Sequence, residues 1–175
     1  MTDGCAPYIE CEASHRFVHP VLYTVGLGDM EISSFATPHD SHESVGYIVS
    51  MPHHRVGIAT DLGVLPDSIL ERLCDCDTVV LESNHDEDRL LRGPYPYPLK
   101  QRILSERGHL SNRACAAGVE VLAKNGVRNI LLAHLSEENN TPELAFRASD
   151  RVLDAIPNCR TRLAVADRTV PTRLI

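Results

Sequence analysis

The sequence has no apolar run close to the roughly 20 residues that a helix needs to cross a bilayer, so no membrane span is expected. Its start, MTDGCAPYIECEASHRF, has neither a basic stretch nor an apolar one. No secretory leader is therefore expected, and the cytoplasm is the default location. No cysteine pair has a standard zinc spacing: Cys74 and Cys76 have one residue between them, and Cys5 and Cys11 have no matching second pair. The six cysteines are thus expected as reduced thiols, small and buried or incidental, rather than as disulfides or metal ligands. Positive charge is short as well. The formal net charge is −7, which argues against indiscriminate nucleic-acid binding. No internal repeat, linker or low-complexity tract interrupts the chain.

What is present is an ordinary globular composition, with 43% hydrophobic and 23% charged residues in a chain of 175. That length suits one domain with a sizeable core. Three segments share one design: RVGIATDLG (55–63), CDTVVLESNHD (76–86) and VRNILLAHLS (127–136). Each runs through aliphatic residues and stops at polar groups: Asp61, then Glu82 to His85, then His134. Such runs suit strands buried on both faces, with the polar groups at the rim of a sheet.

Helices are expected between them. LPDSILERLCD spaces Leu65, Ile69 and Leu73 four apart, with Pro66 tolerable in the first turn. SNRACAAGVEVLAKNG opens on Ser111 as N-cap and closes at Gly126, and TPELAFRASDRVLDAI opens on Thr141 and Pro142. Residues 1–54 read instead as short strands turning at Gly26–Asp29 and Pro52–His54. The expected organisation is one domain with a hairpin-rich part (1–54) and an alternating α/β part (55–175). RGPYPYPLK, with its three prolines, is expected as a stiff surface loop.

Taken singly, each polar strand end is open to several readings: His134 could be a packed core residue, a loop cap or a metal ligand. Together, His39, Asp61 and His134 offer two imidazoles and a carboxylate at strand ends, donors that suit Zn²⁺ or Mn²⁺. In ERGHLSN, His109 precedes a helix whose first N–H groups favour an anion such as phosphate. Between Arg89 and Arg113 lie Arg89, Arg92, Lys100, Arg102, Arg107 and Arg113 against the single acid Glu106. That excess faces either a phosphate-rich substrate or solvent.

The stretches FATPHDSHESVGYIV, GIATDLG, VVLESNHD, GPYPYPLKQRILSERGHLSN and LLAHLSEENNTPELA closely resemble the C-terminal part of YycJ/WalJ-type metallo-β-lactamase-fold hydrolases. The resemblance runs from about Val25 onward and extends, more loosely, to transfer-RNA-processing ribonucleases. It implies an αββα sandwich with two divalent metal ions, zinc or manganese, at the sheet edges. His39 would then bind the first metal, Asp61 would bridge both, and His134 would bind the second. His109 would assist catalysis at the phosphate, beside Ser111 and Asn112. The implied chemistry is metal-assisted phosphodiester hydrolysis, with exonuclease action on DNA.

One departure is large. The motif His-x-His-x-Asp-His and the Val-Asp-x-Gly strand that supports it occur nowhere in the sequence. His39, Asp61 and His134 would leave about one terminal ligand per ion plus a bridge, against the usual three or so for catalytic zinc. Tight binding of two metals by this chain alone is not expected. The absent part would also supply one sheet, leaving an apolar face that predicts a partner or self-association. Three explanations follow: a truncated reading of a longer gene, one half of a split enzyme, or a non-catalytic binding or scaffold module.

Overall fold

The computed structural model describes residues 1–8 and 17–173, so the expectation for Cys11 lies outside the described residues. Strands β1 (Thr24–Leu27) and β2 (Met30–Ala36) form a hairpin, as do β3 (Val45–Met51) and β4 (His54–Ala59). The second turn is tighter than the sequence suggests. His54 opens β4, and its ring shares a hydrogen bond with Thr78 Oγ1 at 3.0 Å.

From β4 onward the pairing becomes parallel. α1 (Asp67–Cys74) leads to β5 (Thr78–Glu82). α2 (Glu87–Arg92), α3 (Tyr97–Ile103) and α4 (Asn112–Lys124) lead to β6 (Asn129–Ala133). α5 (Pro142–Asp154) leads to β7 (Arg162–Val165). Among the described residues the result is a mixed α/β fold with one seven-stranded sheet whose strands lie in chain order. Among the described residues, no helix is long and apolar enough to cross a membrane.

Local chemistry explains most of the boundaries. Ser111 Oγ accepts from Ala114 N at 3.2 Å and Thr141 Oγ1 from Leu144 N at 3.3 Å, so both expected caps form. The proline-rich loop is shorter than the sequence reading has it. It ends at Pro96, and α3 starts at Tyr97 with Pro98 in the first turn, where a missing N–H costs nothing. β7 escaped the sequence reading because Arg-Leu-Ala-Val is short and lies at the sheet edge.

The sheet has one core face. Val79 and Leu81 of β5 and Ile130 and Leu132 of β6 are fully buried against Ile69, Leu73, Val119, Leu122 and Leu153 of α1, α4 and α5. Each such side chain contributes roughly 1.5–3 kcal/mol by leaving water. Burial on both faces, expected from the continuous aliphatic runs, does not hold. Tyr47, Ile58, Val80 and Leu131 form one row across four strands on the other face and stay half-buried.

Strand direction sets the site. β2 and β4 each run antiparallel to β3, and β4, β5 and β6 run parallel. The C-terminal ends of β2, β4, β5 and β6 therefore share one edge.

Candidate functional site

That edge collects the polar groups. His39 lies three residues beyond β2, Asp61 two beyond β4, Glu82 is the last residue of β5, and His134 is the first beyond β6. Carboxyl ends of parallel strands are where ligands bind in open α/β sheets. His109 arrives from the connection between α3 and α4. That connection is stitched to the continuation of β5 by Asn84 N to Leu110 O and Asn112 N to His85 O, each 2.8 Å.

The structure brings four of the expected residues together. Asp61 Oδ1 stands 3.6 Å from His39 Nε2, 3.9 Å from His109 Nδ1 and 3.8 Å from His134 Nδ1. The His109 ring lies between the other two, with centroids 4.9 Å from His39 and 5.3 Å from His134. His39 Nδ1 donates to the Gly108 carbonyl at 2.9 Å, which leaves Nε2 free to act as a ligand.

Glu82 is the residue that sequence reasoning saw at a strand end but did not assign. It is fully buried. Its Oε1 accepts from His109 Nδ1 at 2.7 Å and from His134 Nδ1 at 2.9 Å, while Oε2 accepts from Leu62 N at 2.9 Å. Burial pushes the Glu82 carboxyl up, but the hydrogen bonds from His109 and His134 outweigh it and hold the group below its ordinary value. The Glu82 hydrogen bond in turn raises His134, against the opposing effect of burial. A buried carboxylate that fixes one imidazole nitrogen as a donor turns the other toward a ligand.

The backbone is bent to hold these groups. Asp61 and His134 have φ of +56° and +58°, a left-handed conformation uncommon outside glycine and concentrated at functional sites. Asn84 Nδ2 donates to the His134 carbonyl at 2.9 Å and secures that bend. Gly63 and Gly108 permit a close backbone contact. A Cβ on Gly63 would collide with the main chain of Ser105 and Glu106, and one on Gly108 with the carbonyls of Arg102 and Ile103.

The other expected groups make different contacts. Ser111 and Asn112 do not line the cavity at this edge. Ser111 Oγ donates to Glu87 Oε1 at 2.9 Å, and the Asn112 amide is buried between Ser83 Oγ (2.7 Å) and Asn140 Oδ1 (2.9 Å). The Asn112 N–H is already used by His85 O, so an anion would have to displace a formed hydrogen bond. Three arginines of the basic stretch contact other parts of the chain. Arg102 grips Asp40 with both arms, Arg107 donates to the His39 carbonyl at 2.9 and 3.1 Å, and Arg113 pairs with Glu87. The Arg102 guanidinium holds the Asp40 carboxyl down at about 2, well below the usual carboxylate range. These cations hold loops in place.

The donor set fits a divalent cation. His39, Asp61 and His109 each offer a ligand atom within 4.8 Å of the others, and so do Glu82, His109 and His134. Imidazole nitrogen with carboxylate oxygen suits zinc or manganese. The two groups share His109, and Glu82 is already occupied by three N–H donors, so among the described residues these side chains cannot fully enclose two cations at once.

Comparison with known proteins identifies the family. Residues 9–135 match the family described as "Beta-lactamase superfamily domain". The chain is 34% identical over 139 residues to "Exodeoxyribonuclease YycJ" of Bacillus anthracis, covering 79% of this chain and 53% of that protein. It is 35% identical over 134 residues to "Exodeoxyribonuclease WalJ" of Streptococcus pneumoniae serotype 2 (strain D39 / NCTC 7466), covering 77% and 50%. The chain thus spans about half the length of these curated relatives. Among solved structures, the metallo-beta-lactamase fold protein YhfI from Bacillus subtilis superposes with a TM-score of 0.64 at 16% identity, over 86% of this chain and 52% of that one.

Proposed function

This chain belongs to the β-lactamase superfamily, and from that premise we propose that it carries part of the active site of a metal-dependent phosphodiesterase acting on nucleic acid. The observation that carries the reading is the convergence of His39, Asp61, His109 and His134 on one sheet edge above the buried Glu82. The exodeoxyribonuclease names of the two curated relatives support DNA as substrate.

In this reading His39, Asp61 and His134 would hold the metals. Bound zinc or manganese would supply Lewis acidity at the phosphate. The chain's own residues do the rest. Glu82 keeps Nδ1 of His109 protonated, so Nε2 is the nitrogen that exchanges a proton with a departing oxygen. Asn84 and Gly108 position His134 and His39 through the hydrogen bonds described above.

We further assign residues 1–175 to one partial metallo-β-lactamase-like domain, one sheet of a four-layer sandwich. The half-buried row of Tyr47, Ile58, Val80 and Leu131 supports a covering partner, either a segment bearing His-x-His-x-Asp-His or a second copy. The free thiols of Cys5, Cys74, Cys76, Cys115 and Cys159 support action in the reducing cytoplasm.

The test is metal content after dialysis against Zn²⁺ or Mn²⁺, with digestion of single- and double-stranded DNA. It is run on the chain alone and with the upstream half of a relative supplied separately. Metal binding and cleavage are expected at least in the second case. Absence of both in each case overturns the proposal. A second reading, a non-catalytic binding module, is favoured by the sharing of His109 between the two donor groups. It predicts stable folding and no cleavage under either condition.

A further inference from the structure

A buried polar cluster borders the site without lining its cavity. Ser83 follows Glu82 directly, Asn112 comes three residues after His109, and Asn140 comes six after His134. All three are buried. Each therefore sits on one of the three segments whose side chains meet at Glu82 Oε1.

The two asparagines form a reciprocal amide pair. Asn112 Nδ2 donates to Asn140 Oδ1 and Asn140 Nδ2 donates to Asn112 Oδ1, each at 2.9 Å. Three further bonds surround the pair. Ser83 Oγ donates to Asn112 Oδ1 at 2.7 Å, Asn140 Nδ2 to the Ser83 carbonyl at 2.8 Å, and Thr141 N to Asn140 Oδ1 at 2.9 Å. Every side-chain nitrogen and oxygen of the three residues thus has a partner. A buried network whose members are all paired fixes one arrangement of the segments that carry it.

We propose that Asn112 and Asn140 are positioning residues of the site: their paired amides hold the segments of His109 and His134 at the separation where both imidazoles reach one oxygen of Glu82. The inference rests on the reading of those histidines as functional groups and deepens it. The tolerance is small. The two bonds to Oε1 measure 2.7 and 2.9 Å, and a contact of about 3.6 Å is no longer a hydrogen bond. A drift of less than about 1 Å between the segments therefore releases one imidazole. Ser83 ties the pair to the strand end that carries Glu82, so all three segments are set against one another.

The experiment records nitrogen and proton NMR spectra of the metal-free full chain. Bonds to Glu82 should shift the ring N–H protons of His109 and His134 downfield and slow their exchange, and His109→Asn and His134→Asn assign the two signals. Asn112→Ala and Asn140→Ala are each expected to lose or broaden at least one of them while the amide spectrum stays that of a folded chain. The double variant should lose no more than the worse single one, because the two amides act as a pair. Zinc affinity, measured by calorimetry with the upstream half of a relative present, should fall about 10-fold in each single variant. Carboxylates accept only. Asn140→Asp sets an acceptor against both the Ser83 carbonyl and Asn112 Oδ1, whereas Asn112→Asp sets one against Asn140 Oδ1. Asn140→Asp should therefore disturb the ring signals more.

Ring signals and zinc affinity that stay unchanged in both alanine variants, with only stability reduced, overturn the inference. If neither alanine variant folds, Ser83→Ala decides: it removes one hydroxyl and keeps the amide pair, and both ring protons should exchange severalfold faster with solvent. Unchanged exchange in that variant overturns the inference. A wild-type chain that shows both ring signals yet binds no zinc, alone or with the upstream half, overturns the metal-dependent reading, and the ring signals alone then decide the positioning role.

Discussion

His109 and His134 donate to the same oxygen, Oε1 of Glu82, at 2.7 and 2.9 Å. One buried charge therefore orients two imidazoles that come from separate parts of the chain. Glu82→Gln removes the charge and keeps the shape. Zinc or manganese affinity is expected to fall about 10- to 100-fold, as for other partners of ligating histidines, read by calorimetric titration. Glu82→Ala leaves three N–H donors without their acceptor and should cost about 3–5 kcal/mol in urea unfolding of the metal-free chain. Unchanged metal affinity in Glu82→Gln would show that the charge has no part in the site.

Asp61 has two roles that substitution can separate. Its φ of +56° suits Asp and Asn and strains most other residues. Asp61→Asn should preserve stability and, with the upstream half of a relative present, abolish detectable cleavage, because the carboxylate proposed to hold metal is gone. Asp61→Ala should lose cleavage and also about 1–2 kcal/mol of stability. Thermal unfolding of the two variants side by side checks the difference.

The arginines near the site hold loops, and this can be told from phosphate binding by salt. A residue that neutralises a phosphate contributes close to one unit to the salt dependence of nucleic-acid affinity. Arg107→Ala removes two hydrogen bonds to the His39 carbonyl and should weaken metal binding several-fold by loosening His39. The slope of log affinity against log salt should not change. A slope lowered by about one unit would make Arg107 a phosphate contact.

Two thiols give a pH signature. Burial pushes Cys76 up to about 11 and Cys115 up to about 12, from a model-peptide value near 9. A raised folded-state pKa means that the unfolded chain releases its protons first as pH rises. The contribution is fully present below pH 9 and is lost progressively as pH rises toward 11 and 12. Cys76→Ser and Cys115→Ser should both flatten this alkaline decline in urea-unfolding midpoints. In the native chain at neutral pH, Cys5 and Cys159 should react with a disulfide reagent well before Cys76 and Cys115.

Much of this was legible in the sequence. Aliphatic runs ending at Asp61, Glu82 and His134 mark strands whose ends lie at a rim, and the caps at Ser111 and Thr141 form as their residue types require. The convergence of His39 and His109 came from family resemblance, since nothing in the spacing of two loops says that they meet. Glu82 was visible only as one polar residue among several. What identifies it is full burial with two imidazoles on one oxygen, a relationship between residues 27 and 52 positions apart. For Ser111 and Asn112 the sequence could not show that a helix start offers N–H groups only when nothing else takes them, and His85 O takes that of Asn112. The charge run stayed open between substrate and solvent for a similar reason: composition counts cations without showing which carbonyl or carboxylate each one grips.

The close approach allowed by Gly63 and Gly108 also governs how the edge fluctuates. Gly63 N donates to Pro38 O at 2.9 Å while the main chain of Ser105 and Glu106 lies against it, so the segments around residues 38, 62 and 106 interlock. None can swing out without dragging the others. In deuterium exchange the amides of Gly63, Gly108 and His109 should therefore open as a single cooperative unit, with one common protection factor rather than three.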